Sequence, residues 1–154
     1  MGSVVTTLNL GVIDTPYANA PRAAGSKAQS GTQTTGDVAE WLEHKYHPME
    51  IFFELHKEDV AHALEESVAG SLESLLMGAP VSGIPTDEAM SAIEEKFKRF
   101  LSEKEMDALG IPGVPTKAAQ EGTSRRFKGK RGSPGRPSFI DTGAYESSFK
   151  AWVE

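Results

Sequence analysis

Residues 48 to 77 read as one unbroken helix, and a helix of that length dictates what its neighbours must do. Apolar side chains recur at Phe53, Val60, Leu64, Val68, Leu72, Leu75 and Leu76. Steps of three, four and seven place such residues on one stripe of a helix. Pro48 suits a first helical position, where its missing N–H has no intrahelical partner anyway, and Gly78 suits the left-handed residue that stops a helix. About thirty residues make a rod of roughly 45 Å. A rod that long cannot bury its stripe alone, so neighbouring segments or a second protein must cover it.

The flanking segments are shorter and also helical. Asp37 and Glu40 form a capping-box-like start, with Val38, Trp41, Leu42 and Tyr46 following at helical spacing. His47-Pro48 ends that helix, because the residue before proline is pushed out of helical geometry. Trp41 is the expected main buried surface of the short helix. After a loop over residues 78–85, Thr86 can cap a third helix running to about Leu101, with Ala89, Ile93, Phe97, Phe100 and Leu101 as its stripe. Ser102 to Glu105 reads as a second capping box, with Leu101 and Met106 as a hydrophobic staple, opening a short helix from Glu103 to Gly110. The short gap between rod and third helix makes them antiparallel neighbours. The expected fold is therefore mainly α, a helical hairpin with short flanking helices, with α+β as the alternative.

Outside this body the chain reads as arms. Residues 1–36 form an N-terminal arm in which Val4, Val5, Leu8, Leu10, Val12 and Ile13 suit a short strand, while Pro16, Pro21 and the Ala/Gly/Ser/Thr-rich run to Gly36 have little to bury. It is either a flexible tail or a segment ordered against a partner, with Val12, Ile13 and Tyr17 as anchors. Residues 37–110 form the helical body, 111–138 a basic Gly/Pro-rich loop, and 139–154 a capped C-terminal helix or strand.

Charge follows the same division. Asp37 to Leu109 holds 17 acidic residues against 6 Lys/Arg, a net of −11, whereas Lys117 to Pro137 holds seven Lys/Arg and one Glu, a net of +6. The basic loop concentrates Arg125, Arg126, Phe127, Lys128, Lys130, Arg131 and Arg136. Such a cluster suits phosphate neutralisation, which makes a DNA-binding accessory protein one alternative function. It equally suits docking on the acidic helices of its own or a neighbouring subunit. A single aromatic gives no stacking platform, and the acidic body would repel DNA.

Several chemistries lack their residues. The 154-residue chain has no cysteine, hence no disulfide framework, thiolate nucleophile or sulfur-ligated zinc, which fits a reducing compartment. No run of about 18 apolar residues offers a membrane span, and the N-terminus lacks the basic-then-apolar layout of a signal peptide. His44, His47, His56 and His62, with Glu54, Glu58, Glu65 and Glu66 nearby, match neither the helical zinc-protease spacing nor a paired Glu-x-x-His pattern. No metal or other cofactor is expected. Serines are plentiful, but none sits in a Gly-x-Ser-x-Gly elbow, and no phosphate-binding glycine loop follows a strand.

Phe139-Ile140-Asp141-Thr142-Gly143-Ala144 looks like the Asp-Thr-Gly-Ala signature of aspartic proteases, whose carboxylate shares a proton with a second Asp. Eleven residues follow Gly143, and the preceding sequence reads as helical, so the strands that support such a loop are not expected. The wider run Pro137-Ser138-Phe139-Ile140-Asp141-Thr142-Gly143-Ala144-Tyr145-Glu146-Ser147-Ser148-Phe149 resembles the C-terminal signature of tail-completion and head-tail joining proteins of tailed bacteriophages. There a basic flexible loop precedes the pattern, as residues 125–136 do here. Physically the run reads as a cap: Asp141 or Thr142 can accept from free N–H groups of the next turn, Gly143 relaxes the backbone, and residues 144–148 form a turn or two of helix. Phe149, Ala151 and Val153 then alternate with Lys150 and Trp152 as a short strand would, although Tyr145, Phe149 and Trp152 also suit a continued helix. The resemblance implies a non-enzymatic virion protein of the neck or tail, assembled in the bacterial cytoplasm. Its implied partners are copies of itself in a ring and other neck or tail proteins, with DNA possible near the basic loop and no membrane.

Overall fold

The His47-Pro48 break turns the chain through a corner that fixes the first two helices. In the computed structural model, which describes residues 7–17, 33–80, 85–123, 134–140 and 143–154, α1 spans Thr35–Tyr46 and α2 spans Pro48–Leu76. His47 adopts a left-handed conformation between them, and Pro48 occupies the first turn of α2. Glu43, in the last turn of α1, accepts from the N–H groups of Met49 at 2.9 Å and Glu50 at 3.1 Å. One carboxylate thereby satisfies two of the orphan donors at the start of α2.

From that corner α2 runs antiparallel to α3, Asp87–Ser102. Ser67 Oγ donates to the Pro85 carbonyl, Lys96 Nζ lies 2.7 Å from Asp59, and His56 Nε2 lies 3.0 Å from Glu105. The stripe expected on α3 is fully used: Ala89, Ile93, Phe97, Phe100 and Leu101 are buried, together with Met90. On α2 the core residues are Phe52 and Val60, with Leu64 partly buried; Phe53 faces outward.

Among the described residues, three short helices and two strands complete the body: α4 at Glu105–Ala108, α5 at Lys117–Glu121, α6 at Ala144–Ser148, β1 at Leu8–Val12 and β2 at Phe149–Val153. The strands pair antiparallel, Leu8 opposite Val153 and Val12 opposite Phe149. Leu8, Leu10 and Val12 share the core-facing side with Phe149, Ala151 and Val153. Phe149 stacks on Phe97 at a 3.9 Å centroid distance, and Phe52 meets Phe97 edge-on at 5.2 Å. Glu94 of α3 accepts from the Ala151 N–H at 3.3 Å and from Lys150 Nζ at 2.7 Å, so that a helix covers the outer edge of β2.

Several sequence expectations need correction. The α1 cap is Thr34, whose side chain accepts from the Asp37 N–H while Asp37 accepts from the Thr34 N–H; Asp37 is the third residue of the box, not its start. Trp41 is 55% exposed, because Ala39, Leu42 and Tyr46 take the buried face of α1. The second capping box does not form: Ser102 donates to Arg99, Lys104 turns left-handed, and α4 begins at Glu105. The Leu101 and Met106 side chains are nevertheless both buried. Residues 7–17 are bound to the chain's own body: Thr35 Oγ1 donates to the Ile13 carbonyl, and Gly36 N–H donates to Asp14.

Removing one ring from this core should be costly where an exposed ring is not. We expect Phe97→Ala to lose about 3–5 kcal/mol and Trp41→Ala to stay within about 0.5 kcal/mol, measured by urea unfolding of the monomer.

Candidate interaction surface

Helix α2 outruns the helix that covers it. The hydrogen bond from Ser67 to Pro85 marks where α3 begins, and α2 continues for nine residues beyond Ser67, to Leu76. Along this overhang Val68, Leu72, Leu75, Leu76 and Met77 are all exposed, the last two to 80% and 81%. The cause lies in the spacing. From Val60 the apolar residues come in consecutive steps of four, Leu64, Val68, Leu72 and Leu76, and each such step advances about 40° around a 3.6-residue helix. Over four steps the stripe turns about 160° away from α3.

The same surface is acidic. Glu65, Glu66 and Glu73 flank the leucines and are exposed. Nearer the middle of α2, an open groove of about 240 Å³ lies between the helices, lined by Val60, Ala63, Ala92 and Ile93 and rimmed by Asp59, His62, Glu66 and Lys96. Hydrogen bonding from Lys96, then from His56, holds the Asp59 carboxyl below the usual carboxylate range. Towards the start of α2, the His56 ring packs against Phe52 and Phe100, at the one residue of α2 with non-helical backbone angles.

The residues singled out from sequence are spread over the molecule. Val12 lies on the core side of β1 opposite Phe149, so the chain's own core takes up its apolar face. Ile13 is half-exposed, and its N–H donates to the Ser148 carbonyl at 2.7 Å. Tyr17 is partly buried, its N–H donating to Gln33. Arg136 donates to the Ile140 carbonyl and, at 3.0 Å, to the Thr123 carbonyl. Arg125, Arg126, Phe127, Lys128, Lys130 and Arg131 lie outside the described residues, as do Asp141 and Thr142. Gly143 occupies the N-cap position of α6 with φ 77°, a left-handed conformation that suits glycine.

Among the described residues, Glu43, His47 and Glu50 bring carboxylate and imidazole atoms within 4.8 Å of one another. Both Glu43 oxygens already accept backbone N–H groups there, and His47 Nδ1 lies 3.0 Å from Glu50, so the cluster serves the corner between α1 and α2. No helix among the described residues is long and apolar enough to cross a membrane. Sequence reasoning missed the overhang as a site, although its signal, the unbroken steps of four, was present.

Compared with protein-family models, curated proteins and solved structures, the chain gives no match.

Two measurements check this surface. Leu72→Ser with Leu76→Ser should leave the urea unfolding free energy within about 0.5 kcal/mol of wild type when both are measured at protein concentrations low enough to be monomeric, because neither side chain belongs to the core. The lowered Asp59 pKa adds stability at neutral pH that is lost as pH falls through the acid range. Asp59→Asn should therefore lower stability slightly at pH 7 and flatten the acid limb of a stability-against-pH titration below about pH 4.

Proposed function

We propose that this chain is a non-enzymatic structural subunit of a tailed-bacteriophage virion, a neck or tail component for tail completion or head-tail joining that works in a ring of copies. One observation carries the reading: the uncovered apolar overhang of α2, which is out of place on a solitary chain and expected at a subunit boundary. The C-terminal run from Pro137 to Phe149 supports the phage assignment through the family it resembles. The division between an acidic trunk and a cationic segment at 125–131 supports repeated contacts between copies.

On this reading the mechanism is geometric. The aromatic core keeps each body rigid, and the overhang and the cationic segment meet surfaces on neighbouring subunits or on other neck and tail proteins. No residue needs to touch a reacting substrate.

The purified chain should form a closed oligomer, measured by size-exclusion chromatography with light scattering and seen as rings in negative-stain micrographs. A chain that stays monomeric at every concentration would overturn the reading. So would peptide hydrolysis lost on Asp141→Asn, or strongly salt-dependent retention on heparin by an otherwise monomeric chain.

A further inference from the structure

We infer, on the premise of the assembling reading above, that the overhang of α2 seats the cationic segment between Thr123 and Pro134 of a second copy, so that copies join head to tail. Charge selects this occupant. From Glu58 to Glu95 the sequence holds nine acidic residues and no Lys or Arg. Two overhangs packed against each other would bring Glu65, Glu66 and Glu73 of both copies together with no Lys or Arg between them, a like-charge contact that costs affinity. Residues 125–131 offer the complement: five cations for the carboxylates, with Phe127 and the apolar stems of the arginines and lysines for the leucines.

Length rules out the same contact within one chain. Both ends of the segment are pinned beyond the C-terminal end of α3: Gly135 N–H donates to Ala119 at 3.0 Å, Arg136 to Thr123 at 3.0 Å, and Lys104 Nζ to Gly135 at 2.6 Å. The overhang lies past the opposite end of α3, beyond the Ser67 to Pro85 hydrogen bond. The sixteen residues of α3 span about 24 Å, and Leu72 lies about 7 Å further along α2. Ten residues tied at both ends reach out at most about 18 Å. This segment therefore cannot reach the overhang of its own copy, whereas a neighbour's segment can. A contact between two different surfaces is heterologous, and its repetition closes into a ring when the rotation permits.

Complementation tests this with two surface variants of the full chain, each verified by far-ultraviolet dichroism to keep the wild-type helical signal. One carries Glu65→Ser, Leu72→Ser, Glu73→Ser and Leu76→Ser; the other carries Arg125→Ser, Arg126→Ser, Lys128→Ser, Lys130→Ser and Arg131→Ser. Each alone should be monomeric by light scattering while the wild type is oligomeric, and an equimolar mixture should form a 1:1 heterodimer, since each variant retains one half of the contact. Oligomers that persist in either variant would overturn the head-to-tail contact and leave the assembling reading standing. A mixture that stays monomeric would also overturn it, and a wild type that stays monomeric would overturn both.

Discussion

The stack of Phe97 on Phe149, 3.9 Å between ring centroids, is the contact on which the other elements depend. It joins α3, at a point that meets Phe52 near the start of α2, to β2, and β2 is the partner that gives β1 its ladder. A lone two-stranded ribbon is marginal in water, so this one holds because its core face rests on Phe52 and Phe97. Once β1 is in place, the Ile13 carbonyl and the Asp14 carboxylate are positioned for Thr35 and Gly36. The start of α1 is thus tied to the end of the chain through one pair of rings.

The hairpin was legible because α3 mixes steps of three and four. Ala89, Ile93, Phe97, Phe100 and Leu101 stay within one face, and all five are buried. Helix α2 carries as many apolar residues, but its steps of four let the stripe precess, so that the part from Val68 onward leaves the interface. Spacing alone registers that these residues are helical neighbours. Which of them a second helix covers depends on where that helix starts, and here α3 starts level with Ser67.

The misses at element ends share a cause. Thr34 displaced Asp37 as the cap because Thr35 and Gly36 are drawn into the helix by hydrogen bonds to residues 13–15, twenty or more positions away. Trp41 shares the helical spacing of Val38, Leu42 and Tyr46, yet Leu42 and Tyr46 take the side facing the body and leave it exposed. Lys104 turns left-handed where no glycine or asparagine signals it. The cationic segment was legible as composition, while the placement of its base beyond the C-terminal end of α3 follows only from tertiary hydrogen bonds involving Lys104, Ala119 and Gly135.

On the proposed assembly, folding and subunit contact would fall on separate parts of one helix. Residues up to Ser67 are stabilised by packing, whereas those beyond it keep helical geometry mainly by continuing a nucleated helix, since an isolated segment that short is marginal in water. Gly70 weakens it further by about 1 kcal/mol relative to alanine, with open space where a Cβ would sit. Glu65, Glu66 and Glu73 hold the leucines in a charged setting that resists indiscriminate self-association. In the proposed head-to-tail contact, a cationic partner would remove that repulsion and cover the leucines in the same event.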